Sequence, residues 1–251
     1  MRRSATAVGS AGVTVVASWN VNGIGARLDH VVRYLELRAP DLLCLQEIKV
    51  RHDDFPRERF RELGYRSEVL SSGGYAGVAI LTREPLENVV YDLEDFEPER
   101  AAGRRLGGKL GLTWFDTVYV PTRTAIGKIA FLDALTSDHA RRFGPAARVL
   151  LCGDFNVCFD ERDLAKPNMI RQASLHPERP EDLAFRRLVD GGRLVDSFRY
   201  GCAEGGHYTW FPPRPQTKQN HQGMRLDYIF LRIGRTKVPL VRRAWSPRGN
   251  R

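Results

Sequence analysis

Apolar runs recur along the chain, and nearly all end on polar side chains. The β-branched run Val13–Ser18 predicts a strand that gives way to Trp19-Asn20-Val21-Asn22-Gly23. Leu28, Val31, Val32 and Leu35 follow helical spacing, in a segment closed by Pro40. Asp41–Gln46 predicts a buried strand with Glu47 and Lys49 at its end. Phe55–Leu63 predicts a short helix, and Tyr65–Leu70 and Gly77–Thr82 predict strands joined by the Gly-rich turn Ser71–Gly74. Leu110–Thr113 with Thr117–Val120 predicts a hairpin turning at Phe115-Asp116. Gly127–Phe143 predicts a helix leading into the strand Val149–Leu151, which stops at Gly153 and leaves Asp154 and Asn156 beyond it. Glu161–Pro180 reads as a long polar surface loop, Asp182–Val189 as a helix and Leu194–Tyr200 as a short strand or turn. Met224–Leu231 predicts a last strand containing Asp227.

Strands joined partly by helices and partly by hairpins predict a mixed-sheet α/β sandwich rather than a parallel sheet. Residues 1–12 read as a disordered leader, 13–231 as one domain and 232–251 as an atypical basic tail.

Composition refines this picture in three ways. With 42% hydrophobic residues over 251 positions, the chain can bury a real core. The formal charge of +9 suggests a polyanionic partner, but Arg232, Arg235, Lys237, Arg242, Arg243, Arg248 and Arg251 follow Asp227 with no acid among them, so the body is nearly balanced. Cys44, Cys152, Cys158 and Cys202 form no Cys-x-x-Cys pair, which favours reduced thiols in a cytoplasmic protein over a zinc site. No run approaches the roughly 18 apolar residues of a membrane helix, and the N-terminal arginines precede no signal-peptide core.

The strand ends carry the candidate chemistry. Asn20, Asn22, Glu47, Tyr119, Asp154, Asn156 and Asp227 are all oxygen or amide groups, with no Ser–His or Cys–His pair for covalent catalysis. Such groups suit Mg²⁺ or Mn²⁺ and the hydrolysis of a phosphoester. Asp154 and Asn156 share a face if the backbone stays extended through Phe155. The alternatives are ordinary: a Gly-Asp turn, a tyrosine packed in the sheet, and an asparagine capping the next helix.

In order, SWNVNGI at 18–24, LQEIK at 45–49, GGYAGVAILTR at 73–83, VYVP at 118–121, LCGDFNV at 151–157, LVDSFR at 194–199, YTWFPPR at 208–214 and GMRLDYIFL at 223–231 resemble the exodeoxyribonuclease III and abasic-site endonuclease family. The family is a branch of the endonuclease/exonuclease/phosphatase superfamily. The resemblance implies a four-layer α/β (α+β) sandwich, two mixed β-sheets packed face to face and flanked by helices, with the site at one edge. It implies a metal held by Glu47, with Asn20, Asp154 and Asn156 around it, and catalysis by Tyr119, Asp154, Asn156 and Asp227. Asn22, Lys49, Trp210, Phe211 and Arg225 are the implied substrate contacts, and Trp210 and Phe211 would face the sugar of an abasic site. The implied cofactor is Mg²⁺ or Mn²⁺, and the implied partner is double-stranded DNA with abasic sites or 3′ ends, met by a monomer away from membranes.

The chain departs from the family pattern at its end. The family closes on a Ser-Asp-His whose histidine serves the phosphate and pairs with the Asp of Arg-Leu-Asp; here no histidine follows Asp227. Losing a positioned acid–base group predicts activity lower by about 10² to 10⁴, and an altered last strand predicts an exposed, aggregation-prone edge. Ser137-Asp138-His139 repeats the triplet, but inside a predicted outer helix that does not carry His139 to the strand ends. His207 and His221, flanking the YTW segment, lie nearer. After VYVP the chain has Thr122-Arg123-Thr124, where Arg123 would compensate electrostatically. The tail reads as a frame-shifted or truncated end, or as a basic arm gripping the DNA backbone. A catalytically silent DNA-binding relative and a small-phosphoester phosphatase are the alternative functions.

Overall fold

The computed structural model describes residues 15–96, 103–122, 124–165, 179–212 and 222–232. The predicted leader and tail, Arg123, His221 and most of the 161–180 loop lie outside the described residues.

β1 (Val16–Asn20) and β2 (Leu42–Gln46) pair in parallel, joined by α1 (Ile24–Arg38). After α2 (Arg57–Glu62), β3 (Arg66–Leu70) and β4 (Val78–Thr82) complete a four-stranded sheet of order β1-β2-β4-β3. The second sheet, of order β5-β6-β7-β8-β10-β9, is built from β5 (Glu87–Tyr91), β6 (Arg105–Leu110), β7 (Thr113–Tyr119), β8 (Arg148–Asp154), β9 (Leu194–Asp196) and β10 (Asp227–Arg232). Three helices accompany it: α3 (Ala125–Arg142) between β7 and β8, α4 (Pro180–Gly191), and the short α5 (Ser197–Gly201) after β9.

Residue parity builds the layers. On β2, Leu42 and Cys44 face the other sheet while Leu43 and Leu45 pack beneath α1 with Val31, Val32 and Leu35. On β8, Leu150 and Cys152 face inward, while Leu151 lies beneath α3 and α4 with Phe131, Leu135, Phe185 and Leu188. The result is the expected helix–sheet–sheet–helix sandwich. All four cysteines are free thiols, and none of the described helices is long and apolar enough to cross a membrane.

Several boundaries differ from expectation. The hairpin turns at Gly111-Leu112, where Gly111 has φ 58°, and not at Phe115-Asp116, which lie inside β7. Asp116 sits in a strand because buried Arg105 neutralises it at 3.1 Å and His139 Nε2 bonds it at 2.9 Å. β5, half-exposed at the sheet edge, carried no buried pattern and was not predicted. Asp163, at the head of the predicted surface loop, is buried in a 3₁₀ turn (Glu161–Asp163). Among the described residues β10 lies inside its sheet, covered by β9, and β1 forms an edge of the other. The segment expected to hold an altered last strand lies beyond Arg232, outside the described residues.

Candidate active site

Strand register brings the polar ends together. In parallel β7–β8, Tyr119 sits beside Asp154; in antiparallel β8–β10, Asp227 sits directly opposite Asp154. The facing sheet contributes Asn20 at the end of β1 and Glu47 one residue past β2. Behind them Gln46 Nε2 reaches Ser18 Oγ at 3.1 Å and, across the sandwich, Thr117 Oγ1 at 2.8 Å.

Asn20 closes the gap between the sheets. Its Nδ2 donates to Glu47 Oε1 and to Asp154 Oδ2, both at 2.7 Å, while its Oδ1 accepts the Asn22 N–H at 3.0 Å. That last bond fixes the amide, because only the oxygen can accept an N–H. Asn20 therefore turns nitrogen toward the carboxylates and orients them, instead of presenting the oxygen a metal ligand needs. Asp154 also accepts the Asn156 N–H at 2.9 Å.

Local backbone geometry sets these positions. Gly153 has φ 137°, and a Cβ there would stand 2.0 Å from the Val118 carbonyl oxygen, so the residue before Asp154 must be glycine for β7 and β8 to close. Asn22, Glu47, Lys49 and Asn156 all have left-handed φ, between 47° and 54°. Asn156 thus leaves the extended path assumed from parity: its Nδ2 donates to the Val120 carbonyl at 2.9 Å, while Phe155 stacks on Phe185 in the core at 5.0 Å. Asn22 does not cap α1, whose N-cap is Gly23; its Oδ1 accepts from Lys49 Nζ, which also pairs with Glu47 Oε2 at 2.8 Å.

The electrostatics are acidic. Burial, then Asp227 opposite it, push the Asp154 carboxyl well above the usual carboxylate range; the Asn20 and Asn156 donors oppose this, and Glu47 adds to it. Burial, then the hydrogen-bonded Glu47, push the Tyr119 hydroxyl well above the usual tyrosine value, so it remains a proton donor. The Arg104 guanidinium lies 4.9 Å above the Tyr119 ring and donates to its carbonyl at 3.2 Å.

These groups line a cavity of about 440 Å³. Its polar wall is Asn20, Glu47, Tyr119, Asp154 and Asn156, joined by Thr122 and Lys128; Val157, Cys158, Trp210, Met224 and Leu226 form an apolar wall. Lys128 was not foreseen, although Lys128, Phe131, Leu132 and Leu135 follow the spacing of an apolar helix face, which a buried lysine alone would explain. Trp210 reaches the cavity while remaining 38% exposed; Phe211 packs beside Tyr208 instead, at 6.2 Å.

One expected residue lies elsewhere. Arg225, 2% exposed, contacts no open space: its guanidinium bonds Asp163 Oδ1 at 2.8 Å and Asp196 Oδ2 at 2.5 Å, which corrects its assignment as a substrate contact. It anchors the turn that carries Met224 and Leu226 to the cavity. His139 is buried on the outer helix against Asp116 and takes no part in the site, as its position in the sequence implied. His207 packs edge-on to Phe198 at 5.1 Å.

Known proteins resemble this chain in sequence and fold. Residues 17–248 match the model of the endonuclease/exonuclease/phosphatase family. The chain is 29% identical to the exodeoxyribonuclease of Bacillus subtilis, over 84% of this chain and 85% of that one. It is 31% identical to the DNA repair nuclease APEX1 of Danio rerio, over 86% and 72%. Among solved structures, an AP endonuclease from Archaeoglobus fulgidus superposes with a TM-score of 0.80 at 27% identity, covering 88% of this chain and 87% of that one. The 3′ phosphatase NExo from Neisseria, bound to a product DNA hairpin, gives 0.77 at 28%, covering 87% and 86%. With the sheets, the strand-end cluster and the family match in agreement along nearly its whole length, the chain belongs to the endonuclease/exonuclease/phosphatase family, as a hydrolytic nuclease.

Proposed function

We propose that this protein is a Mg²⁺-dependent phosphodiesterase of DNA repair that cuts double-stranded DNA beside abasic sites and trims 3′ ends. One observation carries this reading: a single amide, Asn20, holds carboxylates from two different sheets side by side in an open cavity, with a third acid in register beside them.

The family in general depends on a divalent metal. The residues here fit one, because Asp154 is held away from its ionised form by burial and two neighbouring acids, a frustration that a hard cation relieves. Among the described residues no three His, Cys, Asp or Glu side chains gather into a ready-made metal cluster. Glu47 and Asp154 would hold the ion, with positions left for water and phosphate as Mg²⁺ prefers. The chemistry supplied by the bound cation is charge neutralisation on the phosphate oxygens.

The remaining steps belong to the chain. Asp154, oriented by the Asn20 amide and the Asn156 N–H, takes the proton of the attacking water as a carboxylate. Tyr119 donates toward the leaving oxygen, and Asn156, clamped to the Val120 carbonyl, offers its second amide proton to the phosphate. Trp210, Met224 and Leu226 pack the base-less deoxyribose. The protein works as a monomer in the reducing cytoplasm, consistent with its four free thiols.

The test is cleavage of a duplex with one abasic site. Wild type with Mg²⁺ should nick the strand, and Glu47→Gln or chelation should cut the rate by at least about 10²-fold. Tight binding by wild type with no cleavage under any divalent cation would overturn the enzyme in favour of a silent DNA-binding relative.

A further inference from the structure

Lys128 has no role in the reading above, yet its placement is unusual. Lysines are almost never fully buried unless something holds them. Lys128 is 8% exposed, in the first turn of α3, which Thr124 caps by accepting the Gly127 N–H at 3.0 Å. Its side chain runs inward and its ammonium donates to the Asn156 carbonyl at 2.6 Å. An ammonium has three protons, and this bond uses one. Lys128 lines the cavity together with Asn156, Asp154 and Glu47, while Glu181 and Asp182 of α4 also favour its charged form.

Charge makes the position more telling. Among the described residues lining the cavity, Lys128 is the single base, against Glu47 and Asp154. Lys49 is engaged by Glu47 and Asn22 outside that lining, and the Arg104 guanidinium lies over the Tyr119 ring.

We infer that Lys128 binds a non-bridging oxygen of the scissile phosphate, supplying from the head of α3 positive charge to a cavity whose other charged lining residues are Glu47 and Asp154. This rests on the reading that a phosphodiester enters the cavity. The contact with the Asn156 carbonyl fixes the ammonium beside the Asn156 amide, so both reach one phosphate. A charge-assisted hydrogen bond of this kind is roughly twice as strong as a neutral one.

A charge-deletion cycle on both partners tests it. Binding is measured in EDTA, so that nothing is cut, for two abasic-site duplexes: one natural, one with a neutral methylphosphonate at the scissile position. Wild type should prefer the natural duplex by about tenfold or more, the range of a hydrogen bond to a charged group. Lys128→Met should lose most of that preference, and Lys128→Arg should keep it. Lys128→Gln can still donate to the Asn156 carbonyl; it guards against a folding defect and should lose the preference while melting like wild type. An unchanged preference in Lys128→Gln, or in a folded Lys128→Met, overturns the phosphate contact and leaves a structural lysine. Failure of the underlying reading looks different: wild type would neither prefer abasic duplex over intact duplex nor cleave it with Mg²⁺.

Discussion

Two of the protein's groups of buried charge, one around Arg225 and one at the end of β8, are resolved in opposite ways. Around Arg225, every charge has a partner: Asp163 takes Arg225 and Arg199, Asp196 takes Arg225 and caps α5, and Tyr228 adds a hydroxyl to Asp163 at 3.1 Å. Burial works against the Arg225 charge, yet Tyr228, Asp196 and Asp163 hold its pKa above the ordinary arginine value. At the end of β8 the balance is not met in the same way: burial, then Asp227 and Glu47, push the Asp154 carboxyl toward its neutral form against the Asn20 and Asn156 donors. Both groups are buried and built by neighbouring strands, so burial alone does not distinguish a strut from a site. The distinction is whether the fold completes the charge balance or leaves it to a ligand.

The sharpest way to break this contrast is Asp154→Asn. Abasic-site cleavage should fall by about 10² to 10⁴, and a variant as active as wild type would remove Asp154 from the chemistry. The same variant carries a signature in stability. The folded state holds the Asp154 proton more tightly than the unfolded chain, whose value is 3.8, so this group makes stability decline as pH rises above 3.8. Denaturant unfolding across pH should show that decline flattened in Asp154→Asn.

At the strut, the expected loss is in folding. Asp163→Asn leaves Arg225 and Arg199 buried with half their counter-charge, at a cost of about 3–5 kcal/mol in urea unfolding. A cost below about 1 kcal/mol would show that water or rearrangement substitutes for the carboxylate.

The smallest effect is expected at His139. Burial opposes ionisation of Asp116, but Arg105 and then His139 hold its carboxyl well below the usual carboxylate range. His139→Gln should cost about 1–3 kcal/mol of stability and leave cleavage unchanged. A cleavage loss in the folded variant would return Ser137-Asp138-His139 to the active site.

Much of the fold was legible because its strands and helices obey simple periods. β2 and β4 are buried on both faces and read as apolar runs; α1 and α3 read from their stripes. Misreadings occurred where buried charge interrupted the pattern. Asp116 looked like a turn and Asp163 like a surface loop, because their partners lie elsewhere along the chain. The strand ends announced the site, since Asn20, Glu47, Tyr119, Asp154 and Asp227 each end or begin an apolar run. Parity could not give their directions, because Asn22, Glu47, Lys49 and Asn156 leave the extended backbone where the strands stop. Nor could it show that Arg225 turns inward to Asp163, leaving Met224 and Leu226 to face the cavity.

Those four left-handed residues have an evolutionary consequence. Each holds a conformation that costs an ordinary L-residue on the order of 1 kcal/mol, which glycine would avoid. A descendant released from selection on catalysis could drift at these positions toward glycine and become steadily more robust as it lost activity.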